Sequence, residues 1–223
     1  MRVLVTGSDG FIGKNMVVHL NELEEFEPLK FTRQDSIEKL KILVSQADAI
    51  IHLAGENRPK NKVGFEKVNV GLSKILCDTI KDNGKKIKLI FASSIQADQD
   101  SQFGRSKRAA EKLFEKLSKD TDNSVFIYRL TNTFGKWSKP NYNSVVSTFC
   151  YNIAHGLPIQ INDSSTKLNL VYVDDVISEF LRAIQSETNG LTWGSVEPVY
   201  PITLGKLANQ IESFKNNRSS LVS

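Results

Sequence analysis

The segment Thr6-Gly7-Ser8-Asp9-Gly10-Phe11-Ile12-Gly13 carries three glycines at Gly-x-x-Gly-x-x-Gly spacing, after the apolar run Val3-Leu4-Val5 and before an amphipathic repeat. Such a loop makes a tight turn, lets backbone approach a pyrophosphate with no Cβ in the way, and packs a helix closely on a strand. Free amides at the helix start then take the phosphates, so Gly7, Asp9, Gly10, Phe11, Ile12 and Gly13 are the expected cradle of a dinucleotide. A second group stands at the end of the next apolar run, Phe31-Thr32-Arg33. An acidic residue there would bond ribose hydroxyls, whereas an arginine accommodates a 2′-phosphate, so Arg33 points to NADP(H). Asp35 reads as the N-cap region of a helix starting near Ile37.

Other chemistry-bearing residues read more plainly. His19, His52 and His155 have no ligand-like spacing with cysteines or carboxylates, so no metal site is expected. His52 ends a buried strand and reads as a hydrogen-bonded core residue. Asp174-Asp175 reads as the acidic start of a helix rather than a paired-carboxylate site. Cys77 and Cys150 fall on apolar helical faces and are expected to be buried thiols, not a disulfide.

These residues need elements to position them. Short apolar runs at Val3–Val5, Leu29–Phe31, Ala49–Leu53, Leu89–Ala92 and Val125–Tyr128 alternate with helical patterns, the signature of a parallel sheet covered on both faces. The helices show Phe11, Ile12, Met16, Leu20 and Leu23, then Phe65 to Ile80, then Ala109, Leu113, Phe114 and Leu117 at three- and four-residue spacing. The expected fold class is α/β, a Rossmann-like doubly wound parallel sheet with a small C-terminal substrate-binding region. Beyond Tyr128 the alternation loosens into a loop-rich stretch over 131–144. It is followed by a helix at Val145–Ile153, a strand at Leu168–Val173, a helix at Val176–Ile184, a last helix near Leu204–Phe214 and a polar, frayed tail from Lys215. The 223 residues carry 29 basic and 25 acidic side chains, a balance that makes no case for nucleic acid. The cluster Lys81, Lys85, Lys86 and Lys88 reads as a solvated turn. No apolar run approaches the roughly 18 residues of a membrane span, and no signal segment precedes the first strand, so a cytoplasmic protein is expected.

With the glycine loop stand His52-Leu53-Ala54-Gly55, Ser93-Ser94 and Lys107, and the chain resembles an extended short-chain dehydrogenase/reductase. Longer stretches narrow the resemblance: Ile51–Gly55, Asn57-Arg58-Pro59, Ser93–Ala97, Phe134–Trp137, Lys139–Val145, Thr148–Tyr151 and Tyr172–Asp175. Together they are similar to the reductase domain of capsular-polysaccharide enzymes of the CapF/WbjC type, from Met1 to about Lys215. The resemblance implies a single NADP-binding domain over 1–223, with a cofactor-binding core about 1–130 and interleaved substrate-binding segments about 131–215. It implies NADPH-dependent reduction of the C4 keto group of a UDP-linked 2-acetamido-2,6-dideoxy hexos-4-ulose, on the way to N-acetyl-L-fucosamine in capsule or O-antigen. Members also carry a C-terminal cupin domain that epimerises C3; it is not expected here, and epimerisation is not assigned. Dimerisation through superfamily helices follows by analogy only.

The resemblance further implies that Leu53, Ala54, Gly55 and Lys107 touch the cofactor and that Ser94 steadies the substrate oxygen. Asn132 and Asn143 would bind substrate, with Lys136 and Lys139 as partners of its diphosphate. The family's Tyr-x-x-x-Lys motif reads Phe103-Gly104-Arg105-Ser106-Lys107 here. The phenol that protonates the reduced oxygen is missing, which predicts impaired turnover, since a positioned general acid contributes about 10²–10⁴-fold. Two other readings stay open: an NAD(P)-dependent sugar-nucleotide epimerase or dehydratase, and a non-catalytic NADP-binding module or scaffold.

Overall fold

The computed structural model describes residues 1–57, 63–142 and 144–220, with backbone alone for 63 and 218–220. Two compact units emerge: Met1–Leu130 with Val176–Val196, and Thr131–Asp175 with Glu197–Ser223.

In the first unit the chain runs β1 (Arg2–Thr6), α1 (Phe11–Glu22), β2 (Glu27–Phe31), α2 (Ile37–Gln46) and β3 (Ala49–His52). A short turn α3 (Val63–Phe65) and a π-helical stretch Glu66–Gly71 lead into α4 (Leu72–Asn83) and β4 (Lys88–Ser94). A 3₁₀ turn (Ile95–Asp98) then opens α5 (Gln102–Asp120), followed by β5 (Ser124–Leu130). The strands form one sheet in the order β2-β1-β3-β4-β5-β8, where β8 is Leu191–Gly194. Every pairing in it is parallel. Because helices cover a parallel sheet on both faces, its central strands are buried along nearly their whole length. That is why they read as continuous apolar runs. One core cluster joins Leu4, Ile50, Leu89 and Val125 of the sheet to Leu40, Leu76, Phe114 and Leu117 of the helices. The order of connection reverses between β1 and β3, which opens a crevice at the carboxyl ends of those strands.

The second unit holds β6 (Asn132–Phe134), α6 (Val145–Ala154), β7 (Lys167–Tyr172), β9 (Tyr200–Thr203) and α8 (Leu204–Ser220). Its sheet is small: β6 pairs parallel and β9 antiparallel with β7. Phe149, Ile153, Leu170, Leu207 and Ala208 form its core. The helix α7 (Val173–Gln185) contributes its first three residues to this unit and the rest to the first.

Within the loop-rich stretch over 131–144, Asn132–Phe134 pairs with β7 as a short strand. Three expectations need correction. The expected frayed tail is helical to Ser220. Cys150 is exposed, on the outer face of α6, although Cys77 is buried with its thiol pushed up to about 12 by burial. The N-cap of α2 is Ser36, whose side chain accepts from the Lys39 amide. Asp35 instead closes the preceding turn by accepting from the Thr32 amide at 2.7 Å. The lysine cluster around the α4–β4 turn is tied down by local acceptors: Lys81 pairs with Asp120 and Lys85 with Asp48, both at 2.7 Å. Lys88 donates to the carbonyls of Ile184 and Ser186 at the end of α7, where cations suit the helix dipole.

Candidate active site

The glycine loop leaves β1 and is fastened to the neighbouring strands. The Gly7 amide donates to Phe31 O at 2.8 Å and the Leu53 amide to Thr6 O at 3.2 Å. Gly7 has φ +69°, a left-handed conformation that side chains disfavour, and a Cβ there would lie 2.9 Å from Ala54 backbone. Gly13 is tighter, because a Cβ would fall 2.1 Å from Gly7 O. The α1 helix therefore packs on the loop at backbone contact. Gly10 is its N-cap and supplies no side-chain hydrogen bond, and no acidic residue lies in the first turn. The first turn thus carries no carboxylate to occupy its free amides, and the Cβ-free positions Gly7, Gly10 and Gly13 lie around it. Both features fit the pyrophosphate of a dinucleotide.

Behind the loop runs a buried polar chain. His52 is enclosed, with Nδ1 2.8 Å from Thr6 Oγ1 and Nε2 3.0 Å from Ser73 Oγ. Burial, with the Lys107 charge adding to it, pushes the imidazole down to about 3, so it is neutral. The Ser73 hydroxyl donates to Asn69 O at 2.7 Å. It therefore accepts from His52 Nε2–H, which leaves Nδ1 to accept from Thr6. Asn69, in the π-helical stretch, grips the loop that follows β3: its Oδ1 accepts from the Glu56 amide at 2.7 Å and its Nδ2 donates to Glu56 O at 3.1 Å. The same Nδ2 donates to Ser106 Oγ at 2.9 Å. Asn69 escaped sequence reasoning because its role depends on contacts from α5 and the β3 end; a π-helical insertion near a functional site is the structural sign of it.

On α5, Lys107 is buried and its ammonium donates to Ala92 O at 2.8 Å. Nζ lies 4.8 Å from the Phe91 ring centre and 3.6 Å from where a Cβ of Gly55 would stand. The charge therefore sits at the carboxyl ends of β3 and β4. Burial pushes it down to about 8, with Glu111 one turn further on acting in the opposite direction. Glu111 is fully buried and accepts from Ser93 Oγ at 2.6 Å, Arg129 Nε and NH2 at 2.9 Å, and Arg108 NH1 at 2.8 Å. Burial opposes its charge, but the bonds from Arg129, Ser93 and Arg108 overcome that and hold the carboxyl below the usual range. Ser94 follows on β4, half-buried, and its Oγ accepts from the Gln96 amide at 3.2 Å. That leaves its hydroxyl hydrogen to donate elsewhere. Phe103 is partly exposed on the first turn of α5, its ring 6.0 Å from that of Phe65. Lys107 and Glu111 occupy positions of the buried stripe Gly104, Lys107, Ala110, Glu111, Phe114 and Leu117. Two charges on an apolar stripe were the sequence signal for Glu111.

Arg33 stands exposed past β2, and its NH2 donates to Glu56 Oε2 at 2.9 Å. In the second unit, Asn132 lies on β6 with its Nδ2 3.4 Å from Asn169 O. Lys136 pairs with Asp174 at 3.5 Å, and Lys139 lies 5.8 Å from the Tyr142 ring centre. Asn143 lies outside the described residues. The structure thus brings Gly7, Gly10, Gly13, Ala54, Gly55 and Lys107 to one sheet edge of the first unit. It sets Asn132, Lys136 and Lys139 in the second. Among the described residues no three His, Cys, Asp or Glu side chains gather as metal ligands, and no helix is long and apolar enough to cross a membrane.

Comparison with known proteins places this geometry in context. Residues 3–195 match the model of the NAD dependent epimerase/dehydratase family. The chain is 46% identical over 221 residues to a UDP-2-acetamido-2,6-beta-L-arabino-hexul-4-ose reductase of Pseudomonas aeruginosa, covering 99% of this chain and 59% of that protein. It is 27% identical to a dTDP-4-dehydro-6-deoxyglucose reductase of Escherichia coli, covering 99% of this chain and 83% of that one. Among solved structures, the capsular polysaccharide assembling protein CapF of Staphylococcus aureus superposes with a TM-score of 0.84 at 37% identity, over 98% of this chain and 58% of that one. The chain therefore spans about three-fifths of the length of the Pseudomonas and Staphylococcus proteins.

Proposed function

The chain belongs to the NAD dependent epimerase/dehydratase family, and on that premise we propose that it reduces the C4 keto group of a UDP-linked 2-acetamido-2,6-dideoxy hexos-4-ulose with NADPH. The observation that carries this reading is the Lys107 ammonium, buried against Ala92 O and beside Gly55 at the sheet edge that also holds the glycine cradle. The 46% identity to the Pseudomonas reductase supports the substrate class.

A bound nicotinamide dinucleotide supplies the hydride. The Gly7–Gly13 backbone, with Asp9, Phe11 and Ile12, would hold the pyrophosphate. Leu53, Ala54 and Gly55 would line the dinucleotide past β3, and Arg33 would face the 2′-phosphate. Lys107 would bond the nicotinamide ribose and lend positive potential where the carbonyl oxygen gains charge. The Ser94 hydroxyl would donate to that oxygen. Phe103 has no proton to give, so water or Lys107 supplies it slowly. This favours reduction over an epimerase or dehydratase cycle. Reduction ends by taking up a proton from any donor, whereas oxidation of a sugar hydroxyl must begin with a placed base. Asn132, Asn143, Lys136 and Lys139 would take the sugar and its diphosphate, within substrate-binding segments about 131–215 interleaved in sequence with a cofactor core about 1–130. The product would feed N-acetyl-L-fucosamine in a capsule or O-antigen, made in the cytoplasm by a homodimer.

One observation favours a second reading. Phe103 pairs with Phe65 as an ordinary aromatic contact, as it would in a dinucleotide-binding module that has given up turnover. The decisive experiment is Phe103→Tyr, assayed by NADPH oxidation with the 4-keto sugar nucleotide and by NMR of the product. A rate gain of about 10²–10⁴-fold is expected from the restored acid. No turnover after that substitution would favour the binding module, and a C4 epimer formed without net reduction would favour the epimerase.

A further inference from the structure

Arg33 is the residue through which this fold would favour a 2′-phosphate, yet its guanidinium is already engaged. NH2 donates to Glu56 Oε2 at 2.9 Å, and among the described residues this is its one ion pair. The two partners differ in freedom. The Arg33 side chain is 73% exposed and the Glu56 side chain 11%. The Glu56 backbone is held at both its amide and its carbonyl by Asn69, which is itself buried and bonded to Ser106. The Glu56 backbone is thus held at the β3 end with its carboxylate little exposed, and the arginine is the more exposed partner of the pair.

We propose that Glu56 is a specificity-determining residue that counteracts Arg33 and narrows the preference of this chain for NADPH over NADH. This rests on the dinucleotide reading above and goes one step past it. A phosphate bound by Arg33 must use the guanidinium edge that Glu56 leaves open. The width of the group plus two hydrogen bonds then puts phosphate and carboxylate about 6 Å apart. At that separation each unit of phosphate charge, screened by the water around exposed Arg33, weakens binding of the phosphorylated dinucleotide by about 3-fold, and two by about 10-fold. NADH brings no charge to this spot and is indifferent to Glu56. The penalty also shrinks as salt rises, because the Arg33 side of the pair faces solvent.

The test is calorimetric titration of the wild-type chain, Glu56→Gln, Arg33→Ala and the double variant with NADPH and with NADH. Glu56→Gln keeps the shape and the backbone bonds to Asn69, and a thermal melt checks that it folds. The inference expects Glu56→Gln to tighten NADPH by about 3- to 10-fold with NADH changed less than about twofold. The gain should persist in the Arg33→Ala background, because the repulsion acts between carboxylate and phosphate. An unchanged NADPH:NADH ratio overturns the inference alone. A weaker grip on NADPH also overturns it, since Glu56 would then be orienting Arg33 for the phosphate. If the wild-type chain binds neither dinucleotide, the inference falls together with the reading on which it rests.

Discussion

Lys107 in the first unit and Lys136 in the second carry the same charge under opposite conditions. Lys107 is enclosed, donates to a strand carbonyl and lies one helical turn from Glu111, itself held by Ser93, Arg108 and Arg129. Lys136 is half-exposed and faces Asp174 at 3.5 Å across solvent-reached surface. An ammonium is brought into low dielectric only where fixed partners meet it, and such placement costs several kcal/mol before any partner is counted. A charge in water costs nothing to keep and is free to follow a ligand. The first unit therefore holds preorganised charge at its sheet edge, and the second offers adaptable charge on its surface.

The sharpest way to break this contrast is to delete matching carboxylates. Glu111→Ala leaves Arg129 and Arg108 beside an empty buried site, and losing one member of a buried charge network costs about 3–5 kcal/mol. Asp174→Ala removes the partner of an exposed lysine and one carboxylate from the first turn of α7, and should cost about 1 kcal/mol. Urea denaturation of the two variants reads the difference. Equal losses would mean that the Glu111 network is no more preorganised than the surface pair.

The contrast also marks what was legible beforehand. The central strands could be read because burial on both faces leaves β1, β3, β4 and β5 almost wholly apolar, and the glycine loop because its spacing is set by backbone contact at Gly7 and Gly13. The strands β6, β8 and β9 could not, being three or four residues long with partly exposed patterns such as Leu191-Thr192-Trp193-Gly194. The expected strand Val125–Tyr128 stopped short of Arg129, whose guanidinium turns back to Glu111 and Asp98. Asn69, Glu56 and Glu111 act through residues 13 to 37 positions away, and no local period announces such contacts. Cys150 misled because an apolar helical face in a small unit need not be covered.

A smaller effect sharpens the comparison through pH. Lys107 titrates at about 8 in the folded chain against an ordinary value of 10.5. Below pH 8 the ammonium is charged both folded and unfolded, and the full cost of burying it is present. Between 8 and 10.5 the folded chain has shed the proton that the unfolded chain still binds, so stability rises with pH, by up to roughly 3 kcal/mol at the top of that window. The measurement is the urea midpoint at pH 7.5 and pH 10 for wild type and Lys107→Met. The wild type should gain on the variant as pH rises, and a constant gap would show that the ammonium is not desolvated.

The smallest expected effect lies with Lys136. Removing an exposed lysine from a loose ion pair changes stability by less than about 0.5 kcal/mol, so Lys136→Ala should melt with the wild type. If the residue meets the diphosphate of the sugar nucleotide, the loss appears in binding. Because the diphosphate lies far along the substrate from the reacting C4, ground state and transition state should lose the same contact. KM for the nucleotide sugar then rises a few-fold, about 3- to 10-fold for one solvent-reached charge contact, while kcat stays level. The assay is run in the Phe103→Tyr background, where the proposed function expects the higher turnover. A fall in kcat with KM unchanged would instead place Lys136 at the reacting end of the sugar, and an effect on neither would leave it as the surface partner of Asp174 and nothing more.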